Sequence, residues 1–100
     1  MITRDPNQTP ANPVHPGEVL LEEFLKPLDI TQTRFAEHLR TSIQRVNELI
    51  NGKRSVTAET AWLLSEAFGT TPQFWINLQT QYDLATSRPD YHVKPLRKAS

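Results

Sequence analysis

The sequence predicts an all-α fold: five short helices forming a lambda-repressor-like helix-turn-helix domain between two arms. Three observations predict it. Apolar residues recur at helical spacing in five separate stretches, and strand-like alternation is absent. Thr31, Ser42 and Thr57 stand where N-caps belong, just ahead of three of those stretches. Two of the helical stretches are joined only by Arg40-Thr41, so they must pack at a steep angle. A chain of 100 residues, 37% of them hydrophobic, supports one modest core and suggests one domain.

Residues 1–14 are rich in Pro, Asn, Thr and Gln without periodicity, and are read as a flexible arm. The domain is expected over residues 15–86. Its first helix follows Pro16-Gly17-Glu18, with Val19, Leu20, Phe24 and Leu28 inward and Glu18, Glu22 and Glu23 between them. Pro27 disfavours helix at Lys26 and should end or bend it. Thr31 caps the second helix, whose inward positions are Phe35, Ala36 and Leu39. Ser42 caps the third, with Val46, Leu49 and Ile50 on the core and Asn51-Gly52 as its stop. Thr57 caps a fourth helix carrying Ala61, Trp62, Leu64 and Phe68, and Gly69 ends it. Thr71-Pro72 opens a fifth, on which Phe74, Trp75, Leu78 and Tyr82 share a face. Residues 87–100 are polar and basic, with Arg88, Lys94, Arg97 and Lys98, and are read as a mobile tail.

Composition narrows the function classes. There is no cysteine, and His15, His38 and His92 lie far apart, so no metal is expected. No nucleophile–base pair or phosphate-cradling glycine loop marks an enzyme; neither cofactor nor small-molecule substrate is expected. No apolar run reaches membrane-spanning length and no signal peptide opens the chain, which makes a cytoplasmic protein the default. The 11 basic and 11 acidic residues cancel, yet they are not evenly spread. Thr31 to Arg54 holds Arg34, Arg40, Arg45, Lys53 and Arg54 against Glu37 and Glu48, a local +3 on an otherwise acidic chain. That suits a specific, modestly electrostatic binder of double-stranded DNA.

The third helix is the expected reader. With Val46 and Leu49 turned to the core, Ile43, Gln44, Arg45 and Glu48 have no packing role. A helix fits the major groove and its first turns reach base edges. Gln44 can pair with adenine, Arg45 with guanine, and Ile43 can touch a thymine methyl. Glu48 can accept from a cytosine amino group or repel phosphate at wrong sites. Gln32 and Thr33, at the start of the second helix, are expected to hold a phosphate, with Ser42 at the start of the third counted in the same surface. Asn51, Lys53 and Arg54 follow the reader and can grip the same backbone. Each residue alone is ordinary helix surface; the combination at this spacing carries the reading. One reader spans few base pairs, so a homodimer is expected, with Ile76, Leu78 and Tyr82 at its seam.

The stretch Thr31 to Arg54 resembles the helix-turn-helix of the XRE and phage-repressor superfamily. The segments His15-Pro16-Gly17-Glu18, Glu22 to Leu28, Asn51 to Arg54 and Phe68 to Gln79 resemble the HigA (VapI-type) antitoxins, over about residues 15–84. The resemblance implies two roles: neutralising a HigB-like toxin, a RelE-like nuclease that cuts messenger RNA, and repressing the protein's own operon at operator DNA. The acidic Glu18, Glu22 and Glu23 are a docking face for a basic toxin under that reading and a solvated helix face otherwise. Two positions depart from the pattern. Arg40 stands where glycine is common in the turn, which either alters the turn slightly or adds a phosphate contact, and Leu63 stands where a polar residue is frequent, an extra exposed leucine that marks an interface or is an isolated surface residue. Two other functions fit the fold: an orphan XRE-family regulator without a toxin, and a helical interaction module that no longer binds DNA.

Overall fold

The computed structural model describes residues 13–97. Five helices occur among them: α1 (Pro16–Val19), running on as a π-helical segment over Leu20–Leu25, then α2 (Gln32–Leu39), α3 (Ile43–Ile50), α4 (Ala58–Phe68) and α5 (Pro72–Thr86). No described residue is in a strand. No described helix is long and apolar enough to cross a membrane. The expected flexible arm falls, for residues 1–12, outside the described residues, as does Lys98 of the tail. The chain leaves helix at Ser87 and carries no regular element through residue 97.

The three expected hydroxyl caps form, and Thr71 adds a fourth. Thr31 Oγ1 accepts from the Arg34 amide and Ser42 Oγ from the Arg45 amide, each at 3.1 Å. Thr57 Oγ1 accepts from Thr60 N–H at 3.3 Å and Thr71 Oγ1 from Phe74 N–H at 3.1 Å. Each satisfies a donor that the first turn leaves without a helical partner. Leu20, Leu25, Phe35, Ala36, Val46, Leu49, Ile50, Val56, Ala61, Leu64 and Trp75 form the core. Phe24 bridges Phe68 and Trp75, with ring centroids 4.7 and 5.3 Å away, and Phe35 stacks on Phe68 at 5.4 Å. These aromatic contacts tie α1, α2, α4 and α5 into one body.

One inward assignment, that of Leu28, needs correction. Leu28 is 58% exposed. Ahead of Pro27 the helix widens, Lys26 N–H bonding Leu21 O, and the chain then turns with Asp29 in the left-handed region. The helical register is lost there, and Ile30 packs on the core in place of Leu28. Trp62 is 59% exposed. The buried stripe of α4 is Ala61, Leu64 and Ser65, and Trp62 sits a full helical step of about 100° from Ala61. Ser65 takes the inward place because it is small and its hydroxyl bonds Trp62 O at 2.8 Å. Phe74 stays at the edge of the core, half in solvent, its ring against the Trp75 indole.

The His15-Pro16-Gly17-Glu18 segment proves to be an anchor for α3. His15 caps α1, its Nδ1 accepting from Gly17 N–H at 2.9 Å, and its ring meets Tyr82 of α5 edge-on at 4.9 Å. The same ring lies against Gly52, just past α3. Gly17 is buried with its α-carbon against the Leu49 carbonyl, and a β-carbon there would collide with that carbonyl. Glycine at this position lets the two backbones touch. The segment Thr70 to Asp83 holds α5 and the loop ahead of α4 in place. Trp75 Nε1 donates to Thr70 Oγ1 at 2.7 Å, and Gln79 Oε1 accepts from Val56 N–H at 2.7 Å. Gln79 Nε2 donates to Asp83 Oδ1 at 2.9 Å, so the buried amide is bonded at both ends.

Two outcomes are expected. Gly17→Ala should destabilise the fold by about 1–3 kcal/mol, toward the upper end because neither backbone can yield, as read by urea denaturation. His15 is held below its ordinary value by burial, with Asp83 partly opposing. A depressed histidine leaves the unfolded chain binding more protons, so stability is full above the unfolded value of about 6.5 and falls as pH drops toward the folded one. Protonation also removes the Nδ1 acceptor from Gly17. His15→Asn keeps a capping acceptor and cannot titrate. Its melting temperature should lack the component of acid loss between pH 7.5 and 5 that the parent shows; identical pH profiles would rule the mechanism out.

Candidate nucleic-acid interface

Helices α2 and α3 meet across the two-residue turn Arg40-Thr41. Arg40 has φ 59° and ψ 43°, the left-handed conformation that glycine adopts without strain. Thr41 N–H bonds Ala36 O at 3.0 Å and Arg40 N–H bonds Glu37 O at 3.1 Å, which closes the end of α2. The turn keeps its usual shape despite the arginine. Ala36 is buried at the crossing with Val46 and Leu49, small enough for α3 to come close.

With Val46, Leu49 and Ile50 buried, the side of α3 facing away from the core is set by the helical period. Gln44, Glu48 and Asn51 lie along its centre, Arg45 on one flank and Ile43 and Asn47 on the other. Ile43, Gln44, Arg45, Asn47 and Asn51 are exposed, and Glu48 is half-buried. The expected groove residues of α3 therefore share one surface. Lys53 and Arg54 continue it beyond Gly52, whose φ of 74° turns the chain. Lys53 N–H closes on Glu48 O at 2.8 Å. Thr33 is exposed and Gln32 half-buried at the start of α2. Ser42 Oγ is occupied as the α3 cap acceptor, which leaves its hydroxyl proton for an outside partner.

The surface is braced on both flanks. On one, Arg54 Nη2 bonds Glu48 Oε1 at 3.0 Å, so the expected cytosine acceptor and the expected backbone cation hold each other. Arg45 and Arg54 also rim a shared basin against Glu59 of α4. On the other flank, Asn51 Nδ2 donates to Asn47 Oδ1 at 3.1 Å and Asn47 Nδ2 to Gln32 Oε1 at 3.2 Å. The sequence reading missed Asn47, although its place three residues after Gln44 and four before Asn51 was a sufficient signal.

The cations Arg34, Arg40, Arg45, Lys53 and Arg54 are all exposed. The acidic Glu18, Glu22 and Glu23 are exposed too, with Glu22 paired to Lys26 at 2.8 Å. Ile76, Leu78 and Tyr82, expected at a dimer seam, are half-buried within the monomer. Ile76 and Leu78 pack on its core and Tyr82 on His15. Leu63 is half-buried rather than exposed, in a groove beside Leu39 and Ala67.

Such a fold, with an unburied polar helix after a tight turn, defines a helix-turn-helix protein, the class whose second helix enters the major groove. The helix-turn-helix family model matches residues 21–75. Antitoxin HigA-1 of Vibrio cholerae is 42% identical over 94 residues, covering 89% of each chain. A Pseudomonas aeruginosa protein solved in complex with its 18-bp operator DNA superimposes with a TM-score of 0.78 at 37% identity, over 85% of this chain and 98% of its own. The Pseudomonas aeruginosa antitoxin HigA, solved with the higBA promoter, gives 0.74 at 42% identity, over 76% and 83%. The chain belongs to the HigA family of XRE-type helix-turn-helix proteins.

Arg40→Gly should relieve the left-handed strain and raise stability by about 0.5–1 kcal/mol, net of the extra freedom glycine has when unfolded. Thermal denaturation checks it; an unchanged or lower midpoint would mean that the arginine side chain contributes a compensating contact.

Proposed function

We propose that this protein is an antitoxin that neutralises a HigB-like toxin and represses its own operon by binding operator DNA as a homodimer. The observation that carries the DNA half is the outward polar surface of α3, free of the protein's own core and continuous with exposed Lys53 and Arg54. Gln44 and Arg45, on the first turns of α3, are the base readers, and Ile43 supplies an apolar contact to a thymine. Gln32, Thr33, Ser42, Asn51, Lys53 and Arg54 fix register on the phosphates. Glu48 limits attraction to arbitrary sequence, because its carboxylate offsets Arg54.

The toxin half is supported by the HigA name of the Vibrio cholerae relative and of the promoter-bound Pseudomonas structure. Dimerisation through α5, with Ile76, Leu78 and Tyr82 using the part of their surface that the monomer leaves open, would place two copies of α3 about 34 Å apart, one turn of DNA. Both roles need binding alone and no catalytic step. Residence in the cytoplasm follows from the DNA the protein is proposed to read.

Arg45→Ala is expected to weaken operator binding by about 1–3 kcal/mol and to relax preference at a single base pair of each half-site. Lys53→Ala should weaken operator and scrambled duplexes alike, and flatten the dependence on salt by about one phosphate contact. Salt-titrated fluorescence anisotropy on the protein's own promoter separates the two. An Arg45→Ala variant with unaltered affinity and preference would remove the base reader and with it the DNA half of the proposal.

A further inference from the structure

The amide chain on the flank of α3 has a direction. An amide oxygen accepts and an amide nitrogen donates. Asn51 donates to Asn47, and Asn47 donates to Gln32, so the amide oxygens of Asn47 and Gln32 are each occupied from behind. The chain ends at Gln32 Nε2, which no hydrogen bond among the described residues takes up. Its natural partner there is an acceptor. Asn47 belongs to α3 and Gln32 is the first residue of α2, so the chain crosses the turn between the two helices.

We propose that Asn47 is a positioning residue for the DNA backbone contact, holding the Gln32 amide with its donors turned outward to a phosphate oxygen. This rests on the reading of α3 as the groove helix. An unrestrained Gln32 amide rotates about its last bond and presents its oxygen as readily as its nitrogen, and the oxygen repels phosphate. Occupying that oxygen from within the protein removes the wrong orientation before DNA arrives. Asn51 sets Asn47 in the same way, one helical turn further along α3. The phosphate contact at α2 is thereby tied to the placement of α3. A shift of α3 in the groove and a loss of the Gln32 contact become one event. Asn47 sits on the flank beside α2, away from the central line of Gln44 and Glu48, which favours holding Gln32 over reaching a base.

The test uses the full chain, its promoter duplex and a scrambled duplex of equal length, with Asn47→Ala, Gln32→Ala and the double variant. Each single change should weaken binding about three- to tenfold on both duplexes, and the double variant should bind no worse than Gln32→Ala alone. The slope against salt should not change, since neither side chain is charged. Melting temperatures should stay near the parent's, because the pair is on the surface. If the two losses multiply in the double variant, Asn47 does not act through Gln32 and the inference fails. It fails equally if the Asn47→Ala loss depends on the identity of one base pair, which would make Asn47 a reader in its own right. A parent chain that shows no preference for its promoter overturns the groove reading itself, and that result is visible before any variant at position 47 is measured.

Discussion

The backbone contact between Gly17 and the Leu49 carbonyl sets the position of the helix on which the proposed function depends. A recognition helix works only if its outward side chains are held at fixed height and angle relative to the rest of the domain. Side-chain packing alone leaves room for sliding, since Val46, Leu49 and Ile50 can accommodate small shifts. Two backbones in contact leave much less. The His15 ring completes the arrangement by lying on Gly52 and Tyr82, so the end of α3, the start of α1 and the last turns of α5 share one joint. That joint joins the proposed groove element to the proposed dimer element. The separation of two recognition helices in a dimer passes through it.

Around that joint the domain separates its charge. The cations gather along α2, α3 and the segment after Gly52, while α1 carries exposed carboxylates. An overall charge of zero is then no obstacle to phosphate binding, because screening at physiological salt confines each group's influence to about 8 Å. What a phosphate meets is the local surface. Part of even that surface is neutralised by the Glu48–Arg54 pair, whose carboxylate is half-buried and whose guanidinium is exposed. A pair so placed contributes little to folding. Its effect falls on binding, where Arg54 must exchange a carboxylate for a phosphate. The net gain is therefore small wherever base contacts do not add to it.

Much of this was legible beforehand, for identifiable reasons. The caps at Thr31, Ser42 and Thr57 are local chemistry, with acceptor and donor three residues apart, so sequence spacing specifies them. The outward face of α3 follows from three apolar residues and a helical period. Leu28 misled because hydrophobicity was taken as burial, and the face of the fourth helix that carries Trp62 was left unassigned. Pro27 and the left-handed Asp29 take Leu28 off the helix, and Ser65 wins the inward place by size and by a hydroxyl bond that no apolar pattern shows. The role of His15-Pro16-Gly17-Glu18 was hidden for a different reason. Its partners Leu49, Gly52 and Tyr82 lie more than 30 residues away, and contacts at that separation leave no periodic trace.

The hidden contacts and the legible ones serve different ends. Local signals decide that α2 and α3 exist and which way α3 faces, and many sequences would satisfy them. The long-range contacts decide where that face sits, to within the width of a hydrogen bond. An interface that reads bases by paired donors and acceptors requires the second kind of precision, since a misplacement of about 1 Å turns a bonded pair into two desolvated, unsatisfied groups. Under the proposed function the buried glycine and the histidine cap are accordingly functional features although they lie outside the α3 surface. Each fixes a degree of freedom that Gln44 and Arg45 cannot fix for themselves.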